Sequence, residues 1–221
     1  MIRAENLTKR YRRREGEVLA LDDVSLEVVK GEFVSVVGPS GCGKSTLLLT
    51  LGCLIRPSEG AVWLDERSVY DLAHEEAAAL RLKTIGFVFQ TFNLVPYLTA
   101  LENVQLPLYL SGVSPTEQRE RANQVLDKVG LGDRLHHKPA ELSVGQQQRV
   151  ALARTLANNP RLILADEPTG NLDPALADEM VGELEELNRQ GVTVVMVTHD
   201  PRIAARAQRQ LRLSEGRMVQ T

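Results

Sequence analysis

A glycine-rich loop lies between an apolar run and a helical segment early in this chain. The loop, Gly38–Ser45, follows Phe33–Val37, a short β-branched run of the kind that forms a buried parallel strand. The loop fits the pattern G-x-x-x-x-G-K-[ST], and the segment Ser45–Leu54 after it is predicted to be a helix. Glycines let such a loop curl its N–H groups around phosphate oxygens, and the helix N-terminus adds partial positive charge. The sequence therefore predicts a phosphate-binding loop on an α/β core.

The polar side chains at the end of this loop have expected roles in binding ATP and Mg²⁺. We expect Lys44 to reach the β- and γ-phosphates, Ser45 to ligate Mg²⁺ and Thr46 to contact the α-phosphate. Cys42 lies inside the loop, and its side chain is expected to point away. The predicted nucleotide contacts of the loop are Gly38, Ser40, Gly41, Cys42, Gly43, Lys44, Ser45 and Thr46.

Two acids follow a second apolar strand. Leu162–Ala165 ends directly before Asp166 and Glu167. Ligands of doubly wound sheets bind at the carboxyl ends of the strands. Asp166 is therefore expected to hold Mg²⁺ through water, and Glu167 to polarise the water that attacks the γ-phosphate. In isolation the pair could be two exposed acids that start a helix, but the phosphate loop favours the site.

Two further polar residues follow strands at the same expected edge. Gln90 comes after Ile85–Phe89, and His199 comes after Val192–Val197 with Thr198 between them. The Gln90 amide can contact Mg²⁺ and the attacking water, and His199 can donate a hydrogen bond to the γ-phosphate. A lone histidine is more often structural, so position alone leaves the role of His199 open.

Tyr11 stands within a basic run, Lys9–Arg14, near the start of the chain. An exposed ring there could stack on a nucleotide base or be an isolated surface ring, and position does not decide between them. The basic run is likewise either a solvated loop or a segment that attracts phosphate.

Strands alternate with helices along most of the chain, which predicts a mainly parallel sheet with helices on both faces. Residues 1–37 are predicted to be rich in β-structure and to form an antiparallel β subdomain. From about 93 to 140 apolar residues fall at helical spacing, which predicts a helical subdomain inserted in the core. A terminal hairpin is expected to turn at Glu215–Gly216. The expected fold is an α/β P-loop NTPase core in one domain over residues 1–221.

Composition limits the location and the partners of the protein. The net charge of −3 argues against a nucleic-acid ligand. No run of about 18 apolar residues is present, and Met1–Asn6 lacks the apolar core of a signal peptide. We therefore expect a cytosolic protein. Cys42 and Cys53 form neither a metal nor a disulfide pattern.

A second segment with the character of an anion site, Leu142–Arg149, lies between the phosphate loop and the acidic strand end. As a helix start, it offers Ser143 and Gly145 to an anion. One chain rarely folds two such surfaces onto the same ATP. The order of the segments therefore predicts an ATP sandwiched between two copies of the protein.

Together these residues resemble the motifs of the nucleotide-binding subunit of ATP-binding cassette transporters, in the order of that family and over essentially the whole chain. The resemblance implies that Tyr11 stacks on adenine, and that Asn171–Asp173 is the D-loop, with Asp173 near the nucleotide. Leu142–Gln146 matches the family's signature motif, so Ser143, Gly145 and Gln146 are expected at the ATP of the partner subunit. The implied catalytic residues are Glu167, His199, Gln90 and Lys44, and the implied Mg²⁺ ligands are Ser45, Gln90 and Asp166.

The resemblance also implies an ATPase that forms a head-to-tail homodimer around two ATP, drives a separate membrane permease and does not bind nucleic acid. One residue departs from the family pattern, because Val144 stands where the signature motif has glycine. Valine requires a negative φ, which a helix start allows, so we expect at most an altered dimer affinity.

Three segments, Phe87–Pro96, Leu101–Val104 and Asp166–Asp173, are similar to those of the lipoprotein-release and macrolide-export group. That similarity implies export or lipoprotein release, with the subunit peripheral on the inner face of the cell membrane. The cell-division ATPase is a close neighbour, so a regulatory ATPase acting through a permease-like partner in cell division or cell-wall control stays open. A chain that stops soon after the core also implies no C-terminal regulatory domain.

Apolar residues crowd the segment after Gln90. Exposed apolar patches usually mark interfaces. We therefore expect a cytoplasmic helix of the permease to dock on Phe92, Leu94, Val95, Tyr97 and Leu98.

Overall fold

The computed structural model describes residues 1–13 and 16–219, so Arg14 of the basic run lies outside the described residues. The strands are β1 (Ile2–Arg13), β2 (Gly16–Val28), β3 (Phe33–Val37), β4 (Glu59–Leu64), β5 (Arg67–Ser68), β6 (Ile85–Phe89), β7 (Leu162–Asp166), β8 (Thr193–Thr198), β9 (Arg209–Ser214) and β10 (Arg217–Val219). The helices are α1 (Lys44–Leu51), α2 (His74–Thr84), α3 (Ala100–Leu110), α4 (Pro115–Lys128), α5 (Val144–Leu156), α6 (Pro174–Arg189) and α7 (Pro201–Ala204).

The strands form two sheets. An antiparallel sheet has the strand order β2-β1-β4-β5, and a larger sheet has the order β10-β9-β3-β8-β7-β6. Pairing in the larger sheet is parallel except between β9 and β10, which form the terminal hairpin. The expected α/β fold with an N-terminal antiparallel sheet and a mainly parallel core is confirmed. The loop interpretation of the basic run is wrong for Lys9–Arg13, because β1 pairs with β2 along that segment.

The parallel sheet lies between two apolar clusters. Along β7, Leu162 and Leu164 pack in the cluster that contains α1 and the antiparallel sheet, whereas Ile163 and Ala165 pack in the cluster that contains α6. Alternate residues of a strand face opposite sides, so a strand covered on both sides is apolar throughout. The strand that presents Asp166 is therefore held from both faces.

Helices α3 and α4 follow β6 and precede β7 in the chain, and they form a third apolar cluster with α5. Thr99 caps α3 in a reciprocal capping box with Glu102, whose Oε2 accepts from the Thr99 N–H at 2.7 Å. The cluster also contains Val150 and Ala157 of α5 and its flank, so helical packing continues past the predicted boundary at residue 140.

Helix α1 is shorter at its C-terminus than the sequence predicts. The chain leaves the helix through Gly52 and through Cys53, which has a left-handed φ of 59°. The Tyr70 hydroxyl oxygen lies 2.7 Å from the carbonyl oxygen of Thr50 and 2.6 Å from that of Ile55, so its one proton can be donated to either carbonyl at this helix end. Within the described residues, no helix has the length and apolar character needed to cross a bilayer.

Candidate nucleotide-binding site

The parallel register brings the predicted site residues to one edge of the larger sheet. Val37 of β3 pairs with Thr198 of β8, and Asp166 of β7 pairs with both Val197 and Phe89. The residues that follow these strand ends are therefore neighbours. They are Gly38, Gln90, Glu167 and His199.

The phosphate loop is pressed closely against its surroundings. Gly43, directly before α1, has a φ of 106°, and a Cβ added there would lie 2.2 Å from the Ala20 carbonyl oxygen. A Cβ at Gly38 would lie 2.1 Å from the carbonyl oxygen of Leu213 in β9. Both positions require glycine because backbone atoms occupy the space. Cys42 is buried and its side chain belongs to the core cluster.

Lys44 is the buried cation of the site. Only 7% of the residue is exposed. Its Nζ donates to the carbonyl oxygens of Gly38 and Pro39, at 2.9 and 3.1 Å, and lies 3.9 Å from Glu167 Oε1. The ammonium is thus held by neutral carbonyl groups of the loop, which phosphate oxygens can replace with stronger, charge-assisted bonds.

Ser45 and Asp166 bring two oxygen donors together, since Ser45 Oγ donates to Asp166 Oδ1 at 2.9 Å. Burial raises the pKa of Asp166 above its usual value, and Glu167 adds to that shift, while the bonds and charge of Ser45 and Lys44 oppose it. The described residues contain no cluster of three or more His, Cys, Asp or Glu side chains able to hold a metal alone. Mg²⁺ suits this pair, because it binds through few protein oxygens together with phosphates and water.

Glu167 connects the loop lysine to His199. Its Oε2 lies 2.8 Å from His199 Nδ1 and accepts the His199 backbone N–H at 3.3 Å. Glu167 itself has a left-handed φ of 47°, and its N–H donates to Val197 O at 3.0 Å. A left-handed φ at a non-glycine residue is costly and gathers at functional sites. The Glu167 side chain is therefore held at the carboxyl ends of the parallel strands by the bond of its backbone to β8 and by the contact of its carboxylate with His199.

Gln90 lies against the segment that follows Glu167. The Gln90 backbone carbonyl oxygen accepts from Asn171 Nδ2 at 3.2 Å. The Gln90 side chain lies against Gly170, where an added Cβ would be 2.7 Å from Gln90 Nε2. Asp173 caps α6, since its Oδ1 accepts from the N–H groups of Ala175 and Leu176. The structure thus gives Asp173 a structural contact that the sequence did not indicate.

A cavity of about 380 Å³ runs along the phosphate loop. Tyr11 lines this cavity. Its position in the sequence had left open whether the ring lies near a nucleotide or is an isolated surface ring. Three neighbouring residues of β2 were missed by sequence reasoning, namely Val18, Leu19 and Ala20. Val18 and Leu19 are exposed apolar residues, which only the structure reveals. The cavity is lined by Tyr11, Val18, Leu19, Ala20, Ser40, Gly41, Gly43, Lys44, Ser45, Thr46 and Glu167.

The predicted second nucleotide-contacting surface does not line this cavity. Ser143 begins α5 in a capping box, with its Oγ accepting from Gln146 N at 3.3 Å and its N–H donating to Gln146 Oε1 at 2.9 Å. Gly145 lies against Leu176, because a Cβ added at Gly145 would lie 2.9 Å from the Leu176 side chain. Val144, between Ser143 and Gly145 in the chain, is half exposed. The structure therefore keeps Ser143, Gly145 and Gln146 apart from the loop of their own chain.

The mainly parallel sheet, the phosphate loop and the acidic strand end define a nucleotide-binding protein of the P-loop class. The family model described as ABC transporter matches residues 21–170, and the chain belongs to that family.

Individual relatives are similar to this chain over nearly its whole length. The chain is 47% identical to the uncharacterized ABC transporter ATP-binding protein MJ1508 of Methanocaldococcus jannaschii, covering 100% of this chain and 98% of that protein. It is 50% identical to the macrolide export ATP-binding/permease protein MacB 1/2 of Paracoccus denitrificans over 99% of this chain and 33% of that protein. The chain thus spans about a third of the length of the macrolide-export relatives it matches.

A solved structure of the ATP-binding cassette MJ0796 is also similar. It is a dimer in a post-hydrolysis state bound to ADP and Pi, with a TM-score of 0.91 and 47% sequence identity. The match covers 100% of this chain and 97% of that one.

Proposed function

We propose that this chain, as one ABC ATPase domain, hydrolyses ATP in a homodimer and drives a membrane permease, in export or lipoprotein release. The observation that carries the proposal is the group of Lys44, Glu167 and His199 beside the oxygen pair of Ser45 and Asp166. No other arrangement in the described residues joins a phosphate loop to an acid anchored in this way. The protein works on the cytoplasmic side, peripheral to the membrane that holds its permease.

ATP binds with its base at Tyr11 and its phosphates in the loop. Lys44 exchanges its bonds to Gly38 O and Pro39 O for β- and γ-phosphate oxygens. Ser45 and Asp166 would hold Mg²⁺, with Gln90 as a further oxygen ligand after the neighbouring strand. Bound Mg²⁺ supplies positive charge that neutralises the phosphate oxygens.

Hydrolysis uses Glu167 as the base. Its carboxylate accepts a proton from the water that attacks the γ-phosphate, the bond from the γ-phosphorus to the bridging oxygen breaks, and ADP leaves with that oxygen. The contact with His199 Nδ1 holds the carboxylate in place. A histidine whose Nδ1 is held by a carboxylate presents Nε2 on the other side of the ring. A neutral imidazole carries one N–H, so His199 donates either to Glu167 through Nδ1 or to the γ-phosphate through Nε2, and donation to both requires the imidazolium form.

A second copy completes the site. Ser143, Gly145 and Gln146 contact the nucleotide held by the partner, which is consistent with their separation from the loop of their own chain. The dimeric state of MJ0796 with ADP and Pi supports the same assembly here. The Oδ1 atom of Asp173 is engaged in capping α6, so a contact of Asp173 with nucleotide across the dimer uses Oδ2.

The permease docks beside the segment that follows Gln90. Arg154 of α5 donates to the Asn93 and Phe92 carbonyl oxygens at 2.6 and 2.7 Å, and so ties this segment to the helix that carries the signature motif. A largely apolar groove of about 380 Å³ lies alongside, lined in part by Phe87, Phe89, Leu106, Pro107 and Leu110. The predicted docking residue Tyr97 is 73% exposed. Movement of the groove is thereby transmitted to both nucleotide-contacting surfaces.

The test of the proposed activity is phosphate release by the purified chain. We expect release from ATP that requires Mg²⁺ and that is abolished by Lys44→Met. The matched control is Lys30→Met, because Lys30 is an exposed lysine in the turn before β3. Equal phosphate release by the Lys44→Met and Lys30→Met proteins contradicts the assignment of the loop as the catalytic centre.

A further inference from the structure

The ring of Tyr11 carries a cation on one of its faces. Lys9 and Tyr11 are two residues apart on β1, and the Lys9 side chain reaches the Tyr11 ring. The Lys9 Nζ atom lies 5.2 Å from the centroid of the Tyr11 ring. That distance lies within the range of a cation–π interaction.

The Lys9 ammonium is fixed where it lies. Its Nζ donates to the Arg56 carbonyl oxygen at 2.7 Å, in the loop that follows α1. This loop is bound to β1 on both sides of Lys9, because Ser58 N donates to Thr8 O at 2.7 Å and Arg10 N donates to Ser58 Oγ at 3.0 Å. Lys9 therefore joins the Tyr11 ring to the chain segment that leaves the phosphate-loop helix.

The neighbouring cations of the basic run have other partners. Arg10 pairs with Glu59, and Arg12 lies 3.8 Å from Glu17 with 93% of its side chain exposed. Neither contacts the Tyr11 ring among the described contacts, so Lys9 is distinguished by its geometry and not by its charge alone.

We propose that Lys9 is a positioning residue for the nucleotide base. It covers one face of the Tyr11 ring and holds the ring steady, so the base stacks on the face that lines the cavity. Holding a contact group in its bound position before the ligand arrives improves affinity, because less order has to be created on binding. The inference rests on the proposed function, in which Tyr11 stacks on the base, and it adds a role that concerns the base and not the phosphates.

The experiment compares two ligands that share the phosphates and differ in the base. Dissociation constants are measured for Mg–ATP and for Mg–tripolyphosphate with the wild-type chain, Lys9→Met, Lys9→Arg and Arg12→Met. We expect Lys9→Met to weaken ATP binding about two- to fivefold, the loss expected for an exposed cation–π contact, and to leave tripolyphosphate binding unchanged. Lys9→Arg retains a cation over the ring and is expected to restore ATP binding. Arg12→Met removes the same charge three residues away and is expected to change neither constant.

Three outcomes overturn the inference. Equal weakening of both ligands by Lys9→Met means that Lys9 acts through long-range charge on the phosphates. Unchanged ATP binding in Lys9→Met, when Tyr11→Ala does weaken it, means that Lys9 has no role while the stacking itself stands. Weakening by Lys9→Met that persists in a Tyr11→Ala background means that Lys9 does not act through the ring.

A further arm separates failure of the inference from failure of the proposed function. If Tyr11→Ala alone leaves ATP binding unchanged, base stacking on Tyr11 is wrong and the Lys9 role is wrong with it. Thermal unfolding midpoints of all variants are compared with the wild type, so that a loss of fold is recognised. If Lys9→Met does not fold, Lys9→Gln is measured in its place, because it also lacks the cation but keeps an N–H group that can donate to the Arg56 carbonyl oxygen, and the same selective loss of ATP binding is expected.

Discussion

The Nδ1 atom of His199 lies 2.8 Å from Oε2 of Glu167, and the two residues come from neighbouring parallel strands. The second carboxylate oxygen of Glu167 faces the ammonium of Lys44 at 3.9 Å. The carboxylate of Glu167 thus lies between Lys44 of the phosphate loop and His199, which is proposed to contact the γ-phosphate. This arrangement makes distinct predictions for each member.

Glu167→Gln is expected to stop hydrolysis and to keep ATP binding. The amide preserves shape and hydrogen bonding but cannot accept the proton, so we expect the single-turnover rate to fall by about 10²–10⁴-fold. ATP bound by two subunits then persists, and mass action favours the dimer. Size-exclusion chromatography should show a dimer with Mg–ATP and a monomer without it. Wild-type turnover in this variant would exclude Glu167 as the base, and a monomer at saturating ATP would count against the sandwiched dimer.

His199→Ala is expected to lower the hydrolysis rate by about 10- to 100-fold at saturating ATP, because the carboxylate of Glu167 loses the group that holds it. The ATP dissociation constant should change little, since the loop and the magnesium ligands are intact. The control is His136→Ala, which removes an exposed imidazole from the helical region. Equal rates for the two variants would assign His199 a structural role only.

Tyr11→Ala is expected to weaken ATP and GTP binding alike, by about 1–3 kcal/mol, because a ring face stacks on any base without reading its edge. Tyr11→Phe keeps the ring and should bind both nucleotides as the wild type does. Nucleotide titration monitored by calorimetry measures both effects. A selective loss of ATP over GTP would show that the hydroxyl or a neighbouring group reads the base.

Tyr97→Asp is expected to separate the protein from its membrane partner while leaving ATP binding intact, because the residue is 73% exposed in the segment between β6 and α3, where docking is proposed. Leu98→Asp should act in the same direction. Val29→Asp is the control, since Val29 is an exposed apolar residue in the turn before β3, at the opposite end of the parallel strands. The measurement is permease-stimulated ATPase activity in membranes. Full stimulation of Tyr97→Asp would place the docking face elsewhere.

Gly43→Ala is expected to destabilise the fold by about 2–4 kcal/mol, because it combines a left-handed φ with a contact of 2.2 Å to the Ala20 carbonyl oxygen. Gly41 also has a left-handed φ, of 79°, but an added Cβ there meets nothing within 4 Å. Gly41→Ala should therefore cost only about 1–2 kcal/mol. Urea unfolding of both variants measures the difference. Equal losses would mean that the loop moves away from β2 without cost.

Residues whose roles depend on short stretches of chain were predictable from the sequence. The phosphate loop, the acids after β7 and the polar residues after β6 and β8 each follow an apolar strand directly, and parallel strands end at one edge of a sheet. The pairs Ser45–Asp166 and Glu167–His199 are consequences of that shared edge. The position of each residue directly after a strand was therefore sufficient to predict that these side chains lie close together.

Other features were decided only by tertiary structure. Ala20, whose carbonyl oxygen lies against Gly43, is skipped where the pairing of β1 with β2 shifts register between Lys9 and Arg10, and no local pattern marks such an irregularity. The same pairing turns the basic run into a strand and places Tyr11 at the cavity.

The capping of α6 by Asp173 and the extension of helical packing into α5 likewise depend on contacts between distant segments. Sequence periodicity reports which face of an element is buried, but not what lies against it. Thus the amino-acid sequence by itself determined the class of fold and the phosphate chemistry. The cavity wall at Tyr11, where base stacking is proposed, and the packing of α5 with α3 and α4 depended on contacts between segments far apart in the chain, where close-packed neighbours select one arrangement.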